Sequence, residues 1–259
     1  MIPKKIHYCW FGRGELPRLA KNCIESWKKL CPDYEIIEWN EDNFDINSNA
    51  YVKEAYEKRK FAFVSDYVRL YAIYTQGGIY MDTDVEVKKN LNKFLKHKAF
   101  TGFESKANAV TGIIACEKEN PIIAKLLDYY TDRHFVMPDG TMDITTNTVT
   151  ITREFEKLGI KLNNEYQETD GLAIYPQNVF CPDLSRIEDK EYAEKIYTIH
   201  YFNGSWISEK TKKRENSWWW RYLATPLIGA SDFVGKKLGK PYIKLKRKIK
   251  NTLFKKWYS

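Results

Sequence analysis

The 259-residue chain lacks several features that would settle its class at once. No apolar run approaches the roughly 18–20 residues needed to cross a bilayer, so no membrane-spanning helix is expected. The opening stretch, MIPKKIHYCWFGRGELP, has no apolar core of the length a signal peptide requires and does not read as one. The five cysteines (Cys9, Cys23, Cys31, Cys116 and Cys181) are odd in number, scattered and without a C-x-x-C pair. That argues against a disulfide scaffold and for buried thiols in a reducing compartment. There is no internal repeat and no low-complexity linker. Acids are missing from the last 24 residues: Lys236 to Ser259 carries nine Lys, one Arg and neither Asp nor Glu.

What is present points to a globular enzyme-sized body. Hydrophobic residues make up 43%, with 8 Trp, 18 Tyr and 13 Phe, enough for one sizeable core. The formal net charge is +8, from 42 basic and 34 acidic side chains. Removing the ten basic residues of the tail leaves 32 against 34, or −2, for residues 1–235. A slightly acidic body with a basic tail is not the profile of a general nucleic-acid binder. The expected organisation is a domain over 1–235 followed by a basic segment over 236–259.

Along the chain, Ile6–Phe11 reads as a buried strand, Pro17–Leu30 as a helix and Tyr34–Trp39 as a second strand. The pattern predicts a helix over Phe61–Thr75 that ends at Gly77-Gly78. A strand over Ile79–Met81 then runs into Asp82-Thr83-Asp84 and resumes at Val85–Val87. Further strands are expected near 99–103, 111–116, 172–175 and 195–201, and helices near 121–131 and 148–158. Strands alternating with helices predict an α/β fold, a mostly parallel sheet with helices on both faces.

The segment Gly77-Gly78-Ile79-Tyr80-Met81-Asp82-Thr83-Asp84 is the most informative. Where a strand ends and turns, two carboxylates two apart can both reach one ion. The carboxyl edge of an open α/β sheet is where ligands bind. Hard oxygen ligands suit Mg²⁺ or Mn²⁺, and these suit a diphosphate. Upstream, Asp66 and Arg69 stand three apart on one face of a mostly apolar helix, where a buried pair calls for further polar partners. His7 reads as a core or hinge residue of the first strand, and His97 and His134 carry no usable pattern.

Three stretches, IPKKIHYCWFG at 2–12, FVSDYVRLYAIYTQGGIYMDTDVEV at 63–87 and IHYFNGSW at 199–206, together resemble glycosyltransferase family 32. Its members are bacterial capsular-polysaccharide and yeast mannosyltransferase-like enzymes, related to the glucosyltransferase domains of large clostridial toxins. The resemblance implies a GT-A fold and retaining, metal-dependent transfer of a hexose from a UDP-sugar to a glycan or lipid-linked glycan, in capsular or surface polysaccharide synthesis. It implies that Asp82 and Asp84 form the metal and diphosphate motif, with Mn²⁺ or Mg²⁺ as cofactor, and that Asp82, Asp84 and Arg69 carry the catalysis. Asp66 and Arg69 then contact the donor sugar, Tyr80 packs by the nucleotide, and Trp10 stacks on the uracil. Ser205 and Trp206 match a distal loop that closes over the phosphates. A third metal ligand comes from this region, either His200 or Ser205. Asn147 falls near the donor sugar, although relatives often have a Gly-Pro-rich loop there.

Two other readings compete. A metal-dependent phosphohydrolase or nuclease could use Asp82 and Asp84, but two-metal sites ordinarily draw on more acidic or His ligands than these motifs offer. A non-catalytic membrane- or nucleic-acid-binding module would leave the Asp-x-Asp edge unexplained. In the tail, Tyr242, Leu245, Ile249, Leu253 and Trp257 recur at helical spacing among Lys and Arg. This pattern predicts an amphipathic helix on an anionic membrane surface, and no specific nucleic-acid partner. The expected location is cytoplasmic, attached peripherally to the inner face of the cell membrane.

Overall fold

The structure, a computed structural model, describes residues 1–105, 108–110 and 112–202. Ser205, Trp206, the Trp218–Trp220 run and the basic segment 236–259 lie outside the described residues, as does the expected boundary near Gly235. In chain order the elements are β1 (Lys5–Cys9), α1 (Arg18–Leu30), β2 (Glu35–Trp39), α2 (Ala50–Glu57), α3 (Phe61–Gln76), β3 (Gly78–Met81) and β4 (Val85–Val87). They continue with β5 (Ala99–Gly102), β6 (Ile113–Cys116), α4 (Pro121–Asp128), α5 (Asn147–Lys157), β7 (Gln167–Thr169), β8 (Leu172–Tyr175), α6 (Gln177–Phe180), α7 (Lys190–Ala193) and β9 (Thr198–His200).

Seven strands form the central sheet in the order β2-β1-β3-β6-β5-β8-β7. β1 pairs in parallel with β2 and β3, and β5 with β8, whereas β3–β6, β5–β6 and β7–β8 are antiparallel. Five strands therefore run one way, and only β6 and β7 run against them. Alternation along the strands divides the core into two layers. Ile79, Met81, Ile113 and Ala115 face α1 with its buried Cys23, Ile24 and Trp27, while Tyr80, Ile114 and Cys116 face the side of α2, α3, α4 and α5. This is the expected α/β arrangement, a mostly parallel sheet with helices on both faces. All five cysteines are buried and free. No helix among the described residues is long and apolar enough to cross a membrane.

One expectation is corrected. Val85–Val87 does not resume the strand of Ile79–Met81 but leaves the central sheet and pairs antiparallel with β9, with Val85 opposite His200. The indole N–H of the buried Trp27 donates to the Val85 carbonyl at 2.7 Å, tying this small second sheet to α1. The helix at α2 has no counterpart in the sequence reading.

The junction between α3 and β3 is held from beneath by His7. Gly77 and Gly78 have φ of 67° and 112°, and a Cβ on Gly78 would stand 2.9 Å from His7 Nε2. His7 Nε2 lies 2.8 Å from the Gly77 carbonyl, and the Trp39 indole N–H donates to His7 Nδ1 at 3.1 Å. A neutral ring protonated on Nε2 satisfies both contacts, and a second proton on Nδ1 would face the indole N–H. Burial accordingly lowers the His7 pKa to about 4, against a favourable bond to the Gly77 carbonyl. The unfolded chain, with an ordinary imidazole near 6.5, binds more protons between these values, so stability is full above about pH 6.5 and drains away as pH falls toward 4. The loss expected from His7 alone is about 3 kcal/mol. Urea titrations at stepped pH should show His7→Gln to be less stable than the native chain at pH 7 and distinctly flatter between pH 6.5 and 4. Parallel pH profiles would rule this account out.

Candidate active site

β1 and β3 are parallel neighbours, so their carboxyl ends lie on one edge of the sheet, with Trp10 following one and Asp82 the other. Trp10 is partly exposed, and its indole N–H donates to the Gly14 carbonyl at 2.6 Å. Past β3 the chain turns tightly. The Asp82 N–H donates to the Gly112 carbonyl at 2.8 Å, and the Val85 N–H donates back to the Asp82 carbonyl at 3.0 Å. The turn brings the two carboxylates together, and the β4–β9 pairing supplies the third group. One ligand atom from each of Asp82, Asp84 and His200 lies within 4.8 Å of the others. His200 Nε2 is 3.3 Å from Asp84 Oδ1. Burial works to lower the His200 pKa, but Asp84, Cys181 and Asp82 outweigh it and raise it to about 10. The Phe202 ring stacks on the imidazole at 4.0 Å. Two carboxylates and an imidazole converging this closely fit a divalent cation.

Behind this cluster is the pair carried by α3. Arg69 Nη2 stands 3.2 Å from Asp66 Oδ1 and 3.3 Å from Asp82 Oδ1, so one guanidinium serves both carboxylates. It also lies over the Tyr80 ring, 4.7 Å from the centroid, and its Nε donates to the Ser65 carbonyl. Burial opposes the charge on Arg69, but Asp82, Tyr80 and Asp66 overcome that and hold it firmly protonated. Burial pushes Asp66 up to about 6, with Arg69 and the Asn147 N–H pulling the other way, so it stays ionised at neutral pH. The Tyr80 ring is buried, and what it offers the site is its hydroxyl, which donates to Asp82 Oδ1 at 3.0 Å. Asn147, the first residue of α5, is also buried and donates from its backbone N–H to Asp66 Oδ2 at 3.4 Å.

The structure thus gathers Asp66, Arg69, Tyr80, Asp82, Asp84, Asn147 and His200 into one connected cluster, with Trp10 on the same sheet edge. Ser205 and Trp206 lie outside the described residues, so of the two candidate third ligands only His200 has a described place, and it is in the cluster. Sequence reasoning missed two participants. Glu104, just past β5, is half-buried, and its carboxyl is pushed up by burial in a field to which His200, Asp82 and Arg69 all contribute. Gly112, just before β6, leaves no room for a side chain. A Cβ there would meet Val85 Cγ2 at 2.9 Å, and Asp82 Oδ2 and His200 Cε1 at 3.1 Å. Neither carries a motif, and only the β5–β6 topology brings them to this edge.

The site is therefore a mostly parallel α/β sheet with paired aspartates at its carboxyl edge, backed by the Asp66–Arg69 pair. Residues 17–101 match the family described as a glycosyltransferase sugar-binding region containing a DXD motif, and the chain is a glycosyltransferase. It is 28% identical over 200 residues to an uncharacterized glycosyltransferase of Acanthamoeba polyphaga mimivirus, covering 73% of this chain and 72% of that one. Inositol phosphoceramide mannosyltransferase 3 of Schizosaccharomyces pombe is 27% identical over 134 residues, covering 49% of this chain but only 36% of its own length. Among solved structures, the PaToxG glycosyltransferase superposes with a TM-score of 0.44 and 22% identity, over 60% of this chain and 68% of that one.

The close approach at Gly112 gives a test of the cluster that does not depend on turnover. Gly112→Ala pushes a methyl group between Asp82 and His200 and is expected to weaken Mn²⁺ binding about tenfold, as displaced supporting groups do at metal sites. Mn²⁺ titration followed by electron paramagnetic resonance checks this, with circular dichroism to verify that the fold is retained. Unchanged affinity would mean that the three groups do not act together.

Proposed function

We propose that the chain catalyses retaining, metal-dependent transfer of a hexose from a UDP-sugar to a glycan or lipid-linked glycan, in the assembly of capsular or other surface polysaccharide. The observation that carries this reading is the convergence of Asp82, Asp84 and His200 in direct contact with the Asp66–Arg69 pair. Asp82, Asp84 and His200 would hold the cation, and the imidazole among them favours Mn²⁺ over Mg²⁺. When bound, the cation supplies charge neutralisation at the leaving diphosphate, a contribution of several kcal/mol.

The chain's own residues do the positioning. Tyr80 and Arg69 fix the Asp82 carboxylate from behind, leaving its remaining lone pairs for the front of the site. Asp66, ionised and held by Arg69 and Asn147, accepts hydrogen bonds from sugar hydroxyls, and Arg69 donates beside it. Trp10 offers a partly exposed aromatic face to the base, and Ser205 and Trp206, outside the described residues, are assigned to the phosphates by their motif alone. Orientation of this kind supplies a share of the rate comparable to electrostatics. No carboxylate is assigned as a covalent nucleophile. The name of the yeast relative supports adding a mannosyl donor and an inositol phospholipid acceptor to any screen.

The test is a panel of UDP-glucose, UDP-galactose, their N-acetyl forms and a mannosyl nucleotide, assayed for hydrolysis with Mn²⁺, Mg²⁺ or chelator. Mn²⁺ should support the fastest turnover, and Asp82→Asn or Asp84→Asn should reduce it on the order of a thousandfold. Full turnover in excess chelator would overturn the metal-dependent reading.

We also place the protein at the cytoplasmic face of the membrane, on the basic stripe of residues 236–259. Basic residues near an anionic surface contribute about 1 kcal/mol each. The full chain should sediment with phosphatidylserine-containing vesicles and be released by high salt. Replacing Lys244, Arg247, Lys248 and Lys250 with Gln should abolish sedimentation while leaving donor hydrolysis intact. Sedimentation that survives the replacement would remove the tail from the account.

A further inference from the structure

Asp66 is supported by more than Arg69. Asn147 binds it twice, through its backbone N–H to Oδ2 and through Nδ2 to the Asp66 carbonyl, both at 3.4 Å. The segment that delivers Asn147 runs from Arg133 to Thr146 and doubles back on itself. Val136 and Met142 bridge antiparallel, and the Asp143 N–H donates to the Phe135 carbonyl at 2.8 Å. Glu54 of α2 anchors one limb, accepting from the Val136 N–H at 2.9 Å and binding His134 Nδ1 at 2.6 Å.

The other anchor is a second buried ion pair. Arg133 Nε and Nη2 both donate to Asp143 Oδ2, at 2.9 and 2.5 Å, and Asp143 Oδ1 accepts from the Thr145 N–H at 3.1 Å. Thr145 is two residues before Asn147. The Arg133 side chain is only 10% exposed, and its guanidinium lies over the rings of Tyr129 and Tyr51, at 4.3 and 5.0 Å. Its Nη1 and the Tyr51 hydroxyl are buried and have no hydrogen-bond partner among the described residues. Packing alone does not explain two such groups side by side.

We propose that Arg133 and Asp143 are positioning residues of the donor site. Their ion pair clamps the 133–146 segment so that Asn147 lands on Asp66. Arg69 is shared between Asp66 and Asp82, so the two Asn147 contacts hold Asp66 in one orientation while Asp82 is engaged elsewhere. A misplacement of an ångström or less at a sugar-holding carboxylate costs rate rather than nucleotide affinity.

The inference rests on Asp66 holding the donor sugar, and the experiment separates the two. Calorimetric titrations compare UDP with whichever UDP-sugar of the panel is hydrolysed fastest, and steady-state hydrolysis of that sugar gives kcat and KM. If Asp66→Ala weakens UDP and the UDP-sugar equally, the donor-sugar role of Asp66 fails, and this inference with it. If the loss is confined to the UDP-sugar, the Arg133 variants decide. Arg133→Gln and Asp143→Asn are each expected to lower kcat about tenfold or more, with UDP affinity within about twofold of native. The double variant Arg133→Gln/Asp143→Asn should be no slower than the slower of the two single variants, because both changes break one ion pair. Asp143→Asn keeps the shape of its side chain and serves if Arg133→Gln does not fold. Native kcat in either folded variant, or losses that multiply in the double variant, would overturn the proposal.

Discussion

The site depends on one guanidinium. Arg69 stands within 3.3 Å of two carboxylates that belong to different elements, Asp66 on its own helix and Asp82 beyond the next strand. Like charges this close cannot all remain ionised in a buried setting without a shared counter-charge. The contact is possible because α3 passes into β3 with Gly77 alone between them. Both glycines at the junction adopt backbone angles that other residues resist, and a Cβ on Gly77 would stand 2.8 Å from the Lys118 backbone nitrogen. The register of helix against strand is therefore fixed within a residue, and with it the distance from Arg69 to Asp82. His7 below the junction and Tyr80 beside it brace the same point from the sheet.

Much of this was legible in the sequence because it is local. The run from Phe63 to Val87 holds a helix, its glycine stop, a strand and the paired aspartates, and each has a pattern that short-range physics imposes. The i,i+3 spacing of Asp66 and Arg69 was enough to expect them on one face, and the apolar character of the helix was enough to expect them buried. The five cysteines read correctly as buried thiols for the same reason, since nothing near them offered a partner. What the spacing could not show was that Arg69 reaches forward to Asp82, because that contact depends on how tightly the chain reverses.

The illegible parts are those that long-range pairing decides. Val85–Val87 alternates as a continuing strand would, and only its pairing with residues 198–200 takes it out of the central sheet. The same pairing brings His200 beside Asp84, where the sequence left His200 and Ser205 as alternatives. Gly112 and Glu104 border loops with no motif, and they matter because β5 ends and β6 begins at the edge where β3 ends. Asn147 stood out only through the family resemblance. Its two contacts to Asp66 come at the end of a largely exposed segment that is held by Arg133 and by Glu54, and Glu54 lies far from it in the sequence.

The pairing of β4 with β9 also orders events in time. Tyr201 Oη donates to Glu86 from 115 residues downstream, so this small sheet closes one of the longest loops in the described chain. Domains emerge and fold from the amino terminus during synthesis, and contacts between distant residues are the slowest to form. The helix–strand unit with Asp66, Arg69, Asp82 and Asp84 can be in place long before Thr198–His200 leaves the ribosome. Until then the edge presents carboxylates without an imidazole, a poor trap for any ion that needs all three groups. An ion of that kind would enter last, and its binding energy would fall on the final long-range contact, so that cation capture would act as a latch on a finished fold.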